Sequence, residues 1–265
     1  MNTKSRIASI LKANILDYSV TGFPCFSLTE LSLAPDPDFP LPNDIRLGHL
    51  AENIFSELIK LSFNYKVIYE NIQIIERKNT IGEIDFIIED IIAKQLIHLE
   101  LAYKFYLFDP SISSEPINNW IGPNRNDSLV EKLKKLKSKQ FPLLHHPVTA
   151  SRLRNINIDE ASQALCFFVS LYVPYEFKDD LDPIYKRAVK GVYFNLETFI
   201  RLDNLDKSYY FPTKKEWGMD PAENENWAGF KDIEDYMNTC MEEKQAPLCW
   251  QKHNGVYSRL FIVWW

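Results

Sequence analysis

Two short runs hold the side chains best placed to do chemistry. "GEIDFIIED" sets Glu83 and Asp85, and "HLELAYK" sets Glu100 and Lys104, inside otherwise apolar stretches. Side chains alternate along a strand. If both runs are strands, Glu83, Asp85 and Ile87 share one face, and Ile84, Phe86 and Ile88 the other. In the second run His98, Glu100, Ala102 and Lys104 lie opposite Leu99, Leu101, Tyr103 and Phe105. Neighbouring strands would bring Asp85 beside Glu100. Close carboxylates repel, and both stay ionised only with a cation between them. Hard oxygen donors of this kind suit Mg²⁺ or Mn²⁺. The plainer reading is a buried ion-pair cluster. Two acids against one lysine, however, leave a charge unpaired, which favours a metal.

An acid in one strand, then a carboxylate and a lysine in the next, resembles the PD-(D/E)XK, or restriction-endonuclease-like, nuclease superfamily. "GEID" with "HLELAYK" is similar to the motif of its junction-resolvase-like members. The longer string "LGHLAE", "NIQ", "GEIDFII", "HLELAYKFYL", "WIGPNRND" and "KLKKLKSKQFPLL" resembles one bacterial family, domain of unknown function 1853. That likeness covers roughly residues 45–145, and more weakly the C-terminal strand. The resemblance implies that Asp85 and Glu100 bind the metal and act in catalysis. It implies that Glu52, on the preceding helix, and Glu83 complete the metal site. The lysine departs from the pattern, because the superfamily's position holds Ala102 and Lys104 lies two residues further on. Four strand residues span about 13 Å against about 6.6 Å for two. Lys104 would therefore serve only if the strand bends or bulges.

Other residues could contact nucleic acid. Lys132, Lys135 and Lys139 form a basic stripe beside the apolar Leu129, Leu133 and Leu136, and could meet phosphates. Solvated helix lysines are the ordinary alternative. Gln140 falls in line with the apolar stripe and Gln73 interrupts an apolar strand, so each is a core amide or a site residue. "WIGPNRND" holds Trp120, Asn124 and Arg125 ahead of a helix N-terminus, where phosphates bind and an aromatic ring could stack a base. Loop packing explains that run equally well. Cys249 and His253 have zinc-like spacing without a clear second pair. His145 and His146 fall in a loop. No Ser-His-Asp signature, phosphate-binding glycine loop or dinucleotide fingerprint is present.

These groups need elements to hold them. Leu47, Leu50, Ile54, Leu58 and Leu61 recur at helical spacing. "YKVIYENIQIIER", "EIDFIIED" and "QLIHLELAYKFYL" follow as strands, with "KNTIG" as a turn between the first two. Short connections favour an antiparallel meander. A helix over 128–141 opens on the S-x-x-E of Ser128 and Glu131. "ALCFFVSLYV" is a buried strand, expected to pair parallel after its helical crossover. "KGVYFNLETFIRL" is mixed, residues 204–248 look like polar surface, and "GVYSRLFIVWW" looks like a docked strand. The expected fold is α/β, a restriction-endonuclease-like α/β/α sandwich with a central mixed β-sheet. It would be a single domain over 1–265, with its core about 45–175, an N-terminal helical extension over 1–44 and C-terminal decoration over 176–265.

Composition bounds the rest. Apolar residues are 46% and charged residues 25%, an ordinary globular balance. A net charge of −6 excludes a generally basic nucleic-acid binder, so any such contact needs a local patch. The four cysteines show no disulfide framework, the N-terminus lacks a signal-peptide core, and no apolar run approaches a membrane span. A cytoplasmic protein without membrane contact is the expectation. The expected activity is Mg²⁺- or Mn²⁺-dependent hydrolysis of nucleic acid, DNA foremost. The alternative is a catalytically inactive nuclease fold that binds nucleic acid or a protein partner.

Overall fold

The computed structural model describes residues 3–42, 45–153, 155–178 and 180–265. Asn43 and Asp44, which end the proline-rich run, lie outside them. Ten strands are described: β1 (Asn14–Ile15), β2 (Tyr65–Glu76), β3 (Asn79–Asp90), β4 (Gln95–Phe108), β5 (Trp120–Ile121), β6 (Ser162–Pro174), β7 (Val189–Asn195), β8 (Lys207–Tyr210), β9 (Leu248–His253) and β10 (Val256–Val263). The chain forms two compact units, Met1–Tyr103 with Glu131–Phe168, and Lys104–Val130 with Val169–Trp265. Strands β4 and β6 each run from one unit into the other.

In the first unit the strand order is β2-β3-β4-β6, with β1 beside β6. β2 and β3 form an antiparallel hairpin that turns at Arg77 and Lys78, both at positive φ. Such a two-residue turn matches the right-handed strand twist. It falls at the start of the expected "KNTIG" turn rather than across it. β3 pairs antiparallel with β4 from Phe86↔Leu99 to Asp90↔Gln95. The helix Leu47–Leu61 buries Leu50, Ile54 and Leu58 together with Ala51, Phe55 and Ile59. These side chains pack on Phe86, Ile88, Leu99 and Leu101. The stripe frays at its end, where Leu61 is 44% exposed. On the opposite face Ile87 packs with Ile74, Leu143, Leu144 and Leu153. A helical layer thus covers each face of this part of the sheet. Burying each such side chain contributes about 1.5–3 kcal/mol. Ile84 departs from simple alternation: it joins Ile87 rather than Phe86. The β2–β3 ladder carries two register shifts, one that leaves Ile68 of β2 unpaired and one that leaves Ile81 of β3 unpaired.

In the second unit β6 pairs parallel with β7 and β7 parallel with β10, while β10 with β9 and β9 with β8 are antiparallel. The sheet is therefore mixed, as expected of an α/β sandwich. "KGVYFNLETFIRL" resolves into β7 and the helix Leu196–Arg201, capped by Asn195. Residues 204–248 are more than polar surface. They supply β8 and the helix Phe230–Glu242, whose Ile233 and Met237 pack with Phe199, Tyr209, Leu260 and Ile262. Charges on the helix's outer face hide that stripe from a composition reading. Among the described residues, no helix is long and apolar enough to cross a membrane.

Candidate active site

The site lies in the first unit, where β3 and β4 part. The backbone ladder between them reaches Phe86↔Leu99, and the next residues in that register are Asp85 and Glu100. There a side chain takes over from the backbone: the Leu101 N–H donates to Asp85 Oδ2 at 2.8 Å. Asp85 is 9% exposed and Glu100 is fully buried. The facing acids expected from alternation are thus brought to one place.

Glu100 is held on both oxygens. His98 Nε2 lies 3.0 Å from Oε1, and Gln140 Nε2 donates to Oε2 at 2.6 Å. Gln140 in turn accepts from Lys132 Nζ at 3.0 Å through its own oxygen. Lysine only donates and a carboxylate accepts, so this amide orientation is the one that satisfies both neighbours. Burial holds His98 down to about 4, so its ring is neutral at pH 7. A neutral ring that donates from Nε2 to Glu100 keeps Nδ1 as the bare acceptor, and Nδ1 is buried without a partner. The edge of the ring faces Phe141, with centroids 5.3 Å apart.

Burial pushes both acids up, Asp85 from 3.8 and Glu100 from 4.5, each to about 8. After burial, the charge of Glu100 is the largest influence raising Asp85, and Glu52 adds to it. Lys132 and the backbone N–H of Asp85 counter the rise at Glu100, while Glu83 and Glu52 reinforce it. The pair therefore retains a proton at pH 7 unless a cation replaces it.

The other predicted residues divide. Glu52 accepts or shares a hydrogen bond with His49 at 2.9 Å and acts on both acids through its charge. Glu83 is half-buried and stands opposite Gln73 across the β2–β3 ladder. Gln73 is exposed, so it is no core amide. Gln140 is a site residue and Lys132 reaches the site through it, while Lys135 and Lys139 are exposed on the same helix. Lys104 belongs to the second unit, where its ammonium donates to Asp127 Oδ2 at 2.7 Å. The structure thus gives Lys104 an ion-pair partner other than the two acids. Trp120 is fully buried against Phe108 and Tyr185, so it has no ring face for a base. Asn124 accepts from the Ala246 N–H, and Arg125 pairs with Asp109 and covers the Trp265 ring. Those contacts are of the loop-packing kind. His98 was missed as a functional candidate, although its place two residues before Glu100 on the same strand face was the available signal. Asp127 was missed too, and no local signal marks it.

Two hard carboxylates with raised proton affinity fit a divalent cation. Among the described residues, no group of three or more His, Cys, Asp or Glu side chains is arranged to hold one. Mg²⁺ commonly uses one or two carboxylates and completes its shell with water and substrate phosphates, so Asp85 and Glu100 are the residues that could hold one.

Fold and site define an α/β protein with a mixed sheet and a buried two-carboxylate centre where two strands part. The chain belongs to the family described as "Domain of unknown function (DUF1853)", whose model matches residues 31–263. The match extends well past the 45–145 segment that carries the resemblance in sequence. No curated protein and no solved structure matches the chain.

Proposed function

We propose that this protein is a divalent-metal-dependent phosphodiesterase acting on nucleic acid, DNA foremost. One observation carries the reading: Asp85 and Glu100 are buried side by side, each with its proton affinity raised by burial and by neighbouring carboxylates. Such a pair is costly without a proton or cation between its members. Asp85 and Glu100 would hold Mg²⁺ or Mn²⁺, and Glu83 and Glu52 add negative field around it. When bound, the ion supplies Lewis acidity toward a phosphate oxygen and toward water. Gln140 and His98 fix the Glu100 carboxylate in one rotamer. The exposed Lys135 and Lys139 offer charge to flanking phosphates.

A second reading, a nuclease-like fold that binds without turnover, is favoured by one observation: the superfamily's lysine position is Ala102, and Lys104 is committed to Asp127. Cleavage of single-stranded, duplex and branched DNA and of RNA, with Mg²⁺ and Mn²⁺, separates the two. We expect metal-dependent cleavage that Asp85→Ala and Glu100→Ala abolish. Cleavage that survives both substitutions excludes this site. Binding without cleavage, unaffected by chelator, supports the second reading.

A further inference from the structure

The helix behind the site changes pitch. It is α-helical over Leu129–Lys135, π-helical over Leu136–Gln140 and 3-10 over Phe141–His145. The Phe141 N–H bonds to the Leu136 carbonyl, five residues back, which marks the wide turn. This has a geometric effect. At 3.6 residues per turn, residues eight apart point about 80° away from each other, and residues seven apart about 20°. A single π turn absorbs one residue. Gln140 therefore takes the rotational place of the seventh residue after Lys132. The two side chains come onto one face and bond at 3.0 Å. The same shift moves Phe141, rather than Gln140, into the core position after Leu136, and both are buried. Hence the polar amide in line with the apolar stripe does no harm to the core.

We propose that Lys132 is the cation of the Asp85–Glu100 site, delivered there by Gln140 across the π turn, and that it faces the reacting phosphodiester. The inference rests on the phosphodiesterase reading above. Two observations converge on it. Lys132 is bonded to the amide that bonds Glu100. Lys104, the alternative, is held by Asp127. Lysine here neutralises charge that develops on the phosphoryl oxygens, and Gln140 is the positioning residue that keeps the ammonium at the acids.

The experiment uses the full chain with Lys132→Met, Lys132→Arg and Gln140→Leu, assayed for cleavage in Mn²⁺ and for Mn²⁺ binding by paramagnetic resonance. Lys132→Met should lower kcat by about 10²–10³, the scale for removing one donor to developing charge. KM and Mn²⁺ affinity should stay within roughly threefold, because lysine is no ligand. Lys132→Arg should recover part of kcat, and Gln140→Leu should lower kcat without the same change in KM. A second readout needs no activity. In metal-free protein, Lys132→Met should cost about 2–6 °C more in melting temperature in the wild-type background than in Glu100→Gln. The inference stands if kcat falls and the melting effects are non-additive; the absence of either overturns it. A wild-type protein that neither cleaves nor binds Mn²⁺ overturns the functional reading and this inference with it. A wild type that cleaves while Lys132→Met keeps its rate overturns this inference alone.

Discussion

At the scale of single residues, Asp85 and Glu100 dominate because both are buried acids with raised proton affinity. The sign of the pH effect follows directly. A carboxyl raised from its ordinary value to about 8 keeps a proton that the unfolded chain has released. Its stabilising contribution is complete below about pH 4 and is lost as pH rises toward 8. We therefore expect metal-free wild type to lose melting temperature across that window. The Asp85→Asn/Glu100→Gln double variant, measured beside it, should lack that part of the slope. Saturating Mg²⁺ should remove most of the loss near pH 8, because the ion takes the proton's place. Parallel curves for the two proteins would mean that the pair is not strained. Lys104 makes a different prediction. Its pair with Asp127 is over one-third exposed on each side, so Lys104→Met should cost at most about 1 kcal/mol in denaturant melts. Turnover should stay within roughly threefold, and a hundredfold loss would return Lys104 to the site.

At the scale of elements, the places where regular structure stops matter most. β3 and β4 end their ladder at Phe86↔Leu99, and the freed Leu101 N–H goes to the Asp85 carboxylate. That bond holds the acid where a backbone carbonyl would otherwise sit. The π turn does the same for Gln140. Elsewhere the sheet depends on close approach. A Cβ on Gly191 of β7 would sit 1.9 Å from the Arg259 carbonyl oxygen of β10, its neighbour strand. Backbone cannot yield there as a side-chain tip would. Gly191→Ala should therefore destabilise by about 1–3 kcal/mol or more, read as a lower urea midpoint at unchanged slope. An unchanged midpoint would show that β7 and β10 can move apart at little cost.

At the scale of the whole molecule, charge is the governing quantity. The chain carries −6 overall, so its average field repels nucleic acid. On the proposed function, attraction would come from the segment Lys132–Lys139, which holds five lysines, with Lys134, Lys135, Lys137 and Lys139 exposed. Lys135→Glu/Lys139→Glu should weaken nucleic-acid binding. It should also make binding less steeply dependent on salt, by about 0.7–0.9 in logarithmic slope for each phosphate no longer neutralised. Anisotropy titrations at several salt concentrations check this, and an unaltered slope would place the binding surface elsewhere.

Much of this was legible in the sequence. Alternation along "GEIDFIIED" and "HLELAYK" determined that Asp85 and Glu100 share a face, because the strand period is local geometry that a few residues enforce. Apolar periodicity determined the helix Leu47–Leu61, and a near-continuous apolar run determined the buried β6. Only tertiary structure decided the partners. Lys104 bonds Asp127, 23 residues away, and Gln140 bonds Glu100, 40 residues away. No local rule links positions so far apart. Trp120 has the residue type of a stacking platform, yet packing between Phe108 and Tyr185 buries it. Lys132 looks like any solvated helix lysine until the π turn adds one residue to a pitch that sequence periodicity assumes constant. The residue types that could hold a cation are thus written in the strands, while the lysine that reaches Glu100 through Gln140 is chosen by how the distant helix packs.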